Sequence, residues 1–191
     1  MADNNKVEFG ISDLYIGTYT DNNGTITMGT AYHQKGAISL SVEPSESSNE
    51  FYADNVIYWA GFSDNGFSGT LEVARFDTDA KKNFFGYAET SGGGIAAIKG
   101  ANRPKVYLCF ATQGDAEERR VIIYNVSLGG INREFSTIEE SKEPVTESCD
   151  ITVIGDNTTG ITIASYKPGD SAYSTIFSNP PTPALKPVTT T

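Results

Sequence analysis

The feature that most constrains the fold is a change of hydrophobic period within residues 50–87. Before the change, Leu71 and Val73 alternate with Thr70 and Glu72. A period of two residues is typical of a strand with one face buried and the other in water. The sequence therefore predicts a half-buried strand that runs directly into a segment of a different kind.

That next segment has the pattern of a short helix. Asp77 or Thr78 can cap its first amides, and Gly86 can supply the left-handed residue that ends it. We expect Lys81 and Lys82 to face water. A two-turn helix is not stable alone, so its apolar face must pack on a sheet. That face is formed by Phe76, Ala80, Phe84 and Phe85.

The rest of the chain has the pattern of a β protein. Its 191 residues, 38% of them apolar, suit one domain with a buried core, and its 19 glycines lie with Asn and Asp between short alternating runs. The sequence predicts a β-sandwich, or a barrel-like pair of packed antiparallel sheets, with one flanking helix. Predicted strands lie at 14–19, 25–29, 37–42, 51–62, 105–112, 120–127, 131–138, 145–154 and 161–166, with turns at 21–24, 63–66, 113–118, 139–144 and 155–160. Hairpins are predicted for 14–19 with 25–29, for 105–112 with 120–127, for 131–138 with 145–154, and for 145–154 with 161–166.

Two segments do not fit this strand pattern. Residues 43–50 are polar and acidic and are expected to form a loop that projects from the domain. The domain is predicted to span 1–179. Residues 180–191 are proline-rich and are expected to form an extended or disordered arm, because proline lacks the backbone N–H that regular structure needs.

The formal net charge of −10 limits the possible partners. Proteins that grip nucleic acid use Lys and Arg to neutralise phosphates, so this chain is not expected to do so. The longest apolar run, 106–111, is too short to cross a bilayer, and the first residues show no secretory signal. We therefore expect a protein made in a cytoplasm, with no membrane partner.

No pattern of residues predicts catalysis or a bound cofactor. His33 is the only histidine and lies in no nucleophile motif. Together with Cys109 and Cys149 it gives too few ligands for a zinc site. The two cysteines lie in predicted strands and are expected to be reduced core residues, with a single disulfide as the alternative. The sequence therefore predicts no catalytic, metal or cofactor residues, and hence no enzyme.

A cluster of aromatic residues lies near the only tryptophan, Trp59, and includes Tyr52, Tyr58 and Phe62. Aromatic side chains in this density form either a core or protein interface, or a platform on which sugars stack. A carbohydrate-binding or adhesin-like sandwich is therefore one candidate function.

Short motifs lie in order at 7–10, 14–17, 32–37, 51–55, 68–69 and 142–148. In these motifs the sequence resembles the major tail tube proteins of long-tailed, siphovirus-type bacteriophages, of the phi13-type family. The resemblance covers nearly the whole chain, which is expected to end in the proline-rich arm without an appended immunoglobulin-like domain.

The resemblance implies a tail tube fold that closes into rings, expected to be hexameric, which stack as a hollow tube for genome ejection. It implies a virion protein that assembles with itself in the host cytoplasm. Further implied partners are the tape measure, tail terminator and tail tip proteins, while double-stranded DNA passes through the lumen without specific binding.

Three groups of residues are candidates for contacts in such a tube. The acidic segment, through Glu43, Glu46 and Glu50, is the candidate contact between successive rings. The aromatics Tyr52, Tyr58 and Trp59 are candidate interface residues. The third group is the start of the C-terminal arm, Pro180, Pro181 and Pro183.

Overall fold

Strands make up most of the chain that the computed structural model describes, which is residues 10–114, 117–135, 137 and 144–186. The elements are β1 Gly10–Asn22, β2 Thr25–Met28, β3 Tyr32–His33, β4 Ala37–Ala53, β5 Val56–Val73, α1 Thr78–Phe85, β6 Tyr87–Glu89, β7 Ile95–Ala97, β8 Val106–Gln113, β9 Arg120–Arg133, β10 Glu147–Val153 and β11 Ile163–Tyr166. The predicted fold class, mainly antiparallel β with one helix, is confirmed.

Within the described ranges, nine of the strands form one sheet, in the order β2-β1-β8-β9-β10-β5-β4. Strand β3 pairs with β1, and β11 pairs with β9. Strands β6 and β7 form a separate two-stranded sheet. Neighbouring strands are antiparallel throughout, and β4 lies at one end of the order, with no strand paired to its outer side among the described residues.

The large sheet curls so that its two ends share one core. Leu14 and Ile16 of β1 belong to the same buried cluster as Leu71 and Val73 of β5. Strand β8 is covered on both faces, because Tyr107 and Cys109 point to a second cluster with Tyr124 and Ile176 on its opposite side. This double burial explains why the sequence of β8 is continuously apolar and does not alternate.

The helix forms where the sequence predicts it. Gly86 has φ +70° and its N–H bonds to the carbonyl of Lys81, which closes the last turn. Asp77 occupies the N-cap position, but its side chain makes no capping bond and instead accepts a hydrogen bond from Tyr32 Oη at 3.1 Å. The predicted apolar face is buried against the sheet: Phe76, Ala80, Phe84 and Phe85.

The expectation that Lys81 faces water is wrong, whereas Lys82 is half exposed. Lys81 is 7% exposed and its Nζ lies 2.8 Å from Glu147 Oε1. Glu147 is the first residue of β10. It lies on the side of the strand that faces the core. A buried ammonium is tolerated here because a buried carboxylate pairs with it.

The loop predicted at 43–50 and the turn predicted at 63–66 are also wrong, because both segments are strands. Both segments belong to the long hairpin of β4 and β5, which turns only at Asp54 and Asn55. These two residues have φ +51° and +63°, as a tight two-residue hairpin turn requires. The sequence of 43–50 does not alternate between apolar and polar residues, because most of these residues are exposed and the strand has no buried face there.

The predicted pairing of the last two strands needs a correction as well. Strand β11 pairs with the first half of β9 and not with β10, which pairs with the second half. The change occurs at Asn125, which has φ +51° and donates from Nδ2 to the Gly155 carbonyl at 2.6 Å. The backbone distortion at Asn125 separates the part of β9 that pairs with β11 from the part that pairs with β10.

Several predicted features are confirmed or lie outside the described residues. The hairpins β1-β2 and β8-β9 are confirmed. Cys109 and Cys149 are buried in β8 and β10, and neither forms a disulfide. Residues 7–9, 115–116, 139–143 and 187–191, and the end of the predicted strand at 131–138, lie largely outside the part that the structure describes.

Candidate assembly surface

The most unusual surface is the outer part of the β4-β5 hairpin, residues 46–64. We call this hairpin segment the arm, and it is separate from the proline-rich C-terminal arm predicted at 180–191. Strand β10 pairs with β5 only from Phe67 to Val73, so beyond Gly66 the sheet narrows to two strands. At about 3.3 Å per residue the arm extends about 25 Å. Two-stranded ribbons are marginally stable by themselves, and nearly all of this one is exposed to water.

Large apolar side chains are concentrated on the arm and are poorly covered. Phe62 is 78% exposed, Tyr58 76% and Trp59 57%. Apolar groups in contact with water favour association with another apolar surface. The full set of exposed large apolar residues on the arm is Phe51, Tyr52, Val56, Ile57, Tyr58, Trp59 and Phe62.

The register of the hairpin separates the arm into two faces of different charge. Phe51 is opposite Trp59 and shares its face with the amide of Asn49, which bonds to Ser63. The six residues paired on this uncharged face are Ser47, Asn49, Phe51, Trp59, Gly61 and Ser63. The acidic face carries Glu46, Ser48, Glu50, Ala60, Phe62 and Asp64. Both faces combine apolar rings with polar groups, as protein interfaces do.

Local contacts fix the rings of the uncharged face. The ring of Trp59 lies over Gly61, where a Cβ atom would come within 2.5 Å of it. Phe51 meets Tyr58 edge to face, with ring centroids 6.5 Å apart. Tyr58 is the additional residue at an irregularity in the pairing, which brings it beside Phe51. The arm therefore presents a defined aromatic surface.

The predicted acidic residues do not all lie together. Glu46 and Glu50 are on the acidic face of the arm, whereas Glu43 lies nearer the domain, opposite Ser68. Tyr52 Oη donates to Glu50 Oε2 at 2.7 Å. This hydrogen bond, more than its slight burial, raises the pKa of Tyr52.

The predicted aromatic residues Tyr52, Tyr58 and Trp59 are all exposed on the arm. Phe62 belongs to the aromatic cluster predicted from the sequence, whereas Phe51, Val56 and Ile57 are not among the predicted site residues. A usable signal was present, because 56–59 is an unbroken apolar run inside a strand, so it places apolar groups on both faces. A strand with two apolar faces must be covered on both sides in the functional state.

The start of the C-terminal segment is packed on the domain. Pro180 and Pro183 are buried, and the carbonyl of Pro181 accepts a hydrogen bond from Tyr124 Oη at 3.0 Å. These three prolines therefore contact their own chain. A contact of this segment with a neighbouring subunit stays a prediction.

Other features offer little for chemistry. His33 Nε2 lies 3.9 Å from Asp13 Oδ1, and its ring stacks on Tyr15. Within the described residues, no three His, Cys, Asp or Glu side chains come together as a metal site would require. The described part of the chain also contains no helix with the length and apolar character needed to cross a bilayer.

Comparison with known proteins gives structural similarities only. No family model and no curated protein matches the sequence. A chain of the anti-feeding prophage cap, described as the tube terminating cap, is similar over 87% of this chain and 97% of its own, at 12% identity and a TM-score of 0.47. A chain of the sheath-tube complex of PVC, an extracellular contractile injection system, in the extended state, covers 84% and 94%, at 11% identity and 0.46.

A third similar structure is Hcp1 from Flavobacterium johnsoniae. The match covers 82% of this chain and 96% of that chain, at 11% identity and a TM-score of 0.35. Similarities at these levels of identity and TM-score do not establish a shared function.

Proposed function

We propose that the protein is the subunit of a homo-oligomeric tube, the major tail tube of a siphovirus-type bacteriophage. The observation that carries the proposal is the arm, which exposes large apolar side chains on both of its faces. Fully burying one such side chain contributes roughly 1.5–3 kcal/mol. Covering the arm with protein is therefore strongly favourable, and a second copy of the chain is the partner always present.

An oligomer built in this way is open to extension. The arm projects from one end of the sheet, so we propose that it contacts a surface of the neighbouring subunit other than that subunit's own arm. A heterologous contact forms a ring when its rotation closes and an open helical filament when it does not. We propose stacked rings, expected to be hexameric from the sequence resemblance, with the arm as the contact between rings.

The proposed role is passive transport of double-stranded DNA through the tube during genome ejection. The net charge of −10 suits a wall that DNA must pass without adhering. The tape measure, tail terminator and tail tip proteins are the proposed further partners, and the proposed location is the virion after assembly in the host cytoplasm.

The test is negative-stain electron microscopy with light scattering on purified protein, across protein concentration and salt. Rings or hollow tubes are expected for the parent chain. The variant F51S/W59S/F62S is expected to form no tubes, because the arm is the proposed contact between rings, and to keep an unchanged Tm, because these side chains are exposed in the monomer. The matched control is F135S/L185S, which removes two exposed apolar side chains outside the arm and should assemble normally.

Two results would contradict the proposal. One is a parent chain that remains monomeric at all concentrations and salts tested. The other is an arm variant that assembles as well as its control, which would move the contact to another surface.

A carbohydrate-binding module is the second candidate, and one observation favours it. Trp59 lies over Gly61, which leaves one face of its ring free for a sugar to stack on. The apolar side chains on the other face of the arm, Ile57 and Phe62, have no role in such a platform. Glycan-array binding that is lost in W59S and kept in F62S would favour this candidate.

A further inference from the structure

Residues 180–183 pack on the domain without belonging to a helix or a strand. We call these residues, Pro-Pro-Thr-Pro, the proline segment. Pro180 and Pro183 are buried, whereas Thr182 between them is exposed. A polyproline II helix has three residues per turn, so its residues i and i+3 lie on one side, about 9 Å apart. The burial of the first and fourth residues matches this period.

The proline segment meets the domain at a group of tyrosines. Tyr124 of β9 contacts it directly, and Tyr19 and Tyr166 lie close enough to Tyr124 to act on its hydroxyl electrostatically. All three belong to the second buried cluster or pack against it, and we call them the tyrosine site. Surfaces lined with aromatic side chains are the usual binding sites of P-x-x-P segments in the polyproline II conformation. The proline segment has this P-x-x-P spacing.

One hydrogen bond sets the register of the proline segment on the tyrosine site. Tyr124 Oη donates to the Pro181 carbonyl at 3.0 Å. A polyproline II chain makes no internal hydrogen bonds, so its carbonyls need donors from outside. Burial, and to a smaller extent the neighbouring Tyr166, raises the pKa of Tyr124. The Tyr124 hydroxyl therefore stays protonated at neutral pH and remains a donor.

The chain just before the proline segment is held against the same cluster. The Asn179 N–H bonds to the Thr175 carbonyl at 2.7 Å, directly before Pro180. Ile176 is fully buried in the second cluster. Phe177 stacks on Tyr15, with ring centroids 4.8 Å apart. The proline segment therefore begins at a fixed point beside the tyrosine site.

Arg120 of β9 holds this preceding chain from the side of the sheet. Its guanidinium carbon lies 4.1 Å from the ring centroid of Tyr173 and 4.8 Å from that of Phe177. Its Nη1 donates to the Tyr173 carbonyl at 2.6 Å. Stacking and a charge-assisted hydrogen bond act on the same short stretch. A ligand attached at such a fixed point reaches its own site at a high effective concentration.

The composition of the proline segment suits a ligand that binds by ring packing. Proline has a fixed φ, so little conformational entropy is lost when the segment is ordered on a surface. Proline also lacks the N–H that a strand needs to extend a sheet. Recognition therefore depends on the two buried proline rings and on the carbonyl of Pro181, and not on strand pairing.

We propose that the tyrosine site is a recognition site for proline-rich segments of the P-x-x-P type, and that each subunit fills it with its own proline segment. The ligand is part of the same chain, and its displacement opens the site to peptides of that class. Site and ligand lie within one subunit, so a failure of tube assembly would leave this proposal standing.

Peptide binding to full-length variants tests the proposal. The variant P180A/P183A removes the two buried prolines, and each protein is titrated into a fluorescein-labelled peptide with the sequence of residues 178–186. Fluorescence anisotropy should show the peptide binding P180A/P183A at least about tenfold more tightly than the parent, whose own proline segment competes at a high effective concentration. The matched control T182A/A184S, changed at two exposed positions, should exclude the peptide as the parent does.

Two further changes test the individual contacts. A peptide that itself carries P180A and P183A should not bind the P180A/P183A protein, although the protein is unchanged. Adding Y124F to that protein should weaken binding of the original peptide by about two- to tenfold, because the donor to the Pro181 carbonyl is lost. Circular dichroism checks the folding of the Y124F protein, and the altered peptide tests the proline contacts independently of it.

Three results would overturn the proposal. The first is a peptide that binds none of the proteins, and the second is a peptide that binds the parent, the control and P180A/P183A equally well. The third is a parent that excludes the peptide only at high protein concentration, because a second copy and not the same chain would then fill the tyrosine site. Binding confined to P180A/P183A, with exclusion by the parent at every dilution, is the supporting result.

Discussion

Glu147 joins the helix to the sheet through a buried carboxylate that is 2% exposed. Its Oε1 accepts from Lys81 Nζ at 2.8 Å, and its Oε2 accepts from the Phe76 N–H at 2.8 Å. Arg133 Nε lies 3.7 Å from Oε1. One side chain therefore satisfies the backbone before α1, a cation on α1 and a cation on β9.

The variant E147Q is expected to destabilise the protein by roughly 3–5 kcal/mol, because it leaves the buried ammonium of Lys81 without a counter-charge. The measurement is the free energy of unfolding from urea denaturation. K82M is the control, since Lys82 pairs with the exposed Glu89 and its loss should matter far less. Equal losses of unfolding free energy in E147Q and K82M would contradict this prediction, because burial would then not increase the contribution of the Glu147 ion pair to stability.

The contribution of Glu147 should also depend on pH. Burial by itself would raise the pKa of Glu147, but the hydrogen bonds from Lys81 and Phe76 and the charges of Lys81 and Arg133 together hold it below the usual 4.5. The folded state thus binds this proton less readily than the unfolded state does. The stabilisation is complete above pH 4.5 and is lost as the pH falls through the lowered value. The difference in unfolding free energy between the parent and E147Q should shrink in that range.

At the scale of elements, local patterns predicted most strands and the helix, and non-local pairing was the main source of error. The residues 161–166 have a clear strand pattern, but nothing in them specifies β9 as their partner. The pairing of 161–166 with β9 depends on a backbone distortion at Asn125. Asparagine is also common in ordinary turns, so the residue type does not predict this distortion. Lys81 was misplaced for a similar reason, because its partner Glu147 is 66 residues away.

The arm shows a different limit of sequence reasoning. The sequence predicts an interface or a sugar platform for its aromatic residues, but it predicts a loop where the structure has the acidic strand. Alternation identifies a strand only when one face is buried within the same chain. When the covering surface belongs to another molecule, as we propose for the arm, the pattern in one sequence is incomplete.

Gly66 controls where the arm leaves the sheet. It has φ +85°, and a Cβ atom there would lie 2.1 Å from the carbonyl oxygen of Val153. The variant G66A is expected to destabilise the protein by roughly 2 kcal/mol or more, since left-handed strain and a backbone clash act together. Thermal unfolding measures the effect, and G92A, whose Cβ would meet no atom within 4 Å, is the control. A G66A variant as stable as G92A would mean that the junction adjusts freely.

At the scale of the whole molecule, the acidic balance should govern contact with DNA. In gel-shift experiments at physiological salt, the parent protein is expected not to retard double-stranded DNA, because its net charge of −10 repels phosphates. The variant S41K/S68K/D150K places three cations on the same side of the neighbouring strands β4, β5 and β10 and should retard DNA in a salt-dependent manner. Retardation by the parent itself would contradict a non-adhesive wall.

The narrowness of the arm has a mechanical consequence. Where the nine-stranded sheet gives way to two strands at Gly66, resistance to bending falls sharply, because few hydrogen bonds cross any section of the ribbon. A tube whose stiff rings are joined through such ribbons would bend at the junctions and keep the cross-section of each ring constant. Curvature and bore diameter would then vary independently, so a long tube could flex in solution without narrowing the passage inside it.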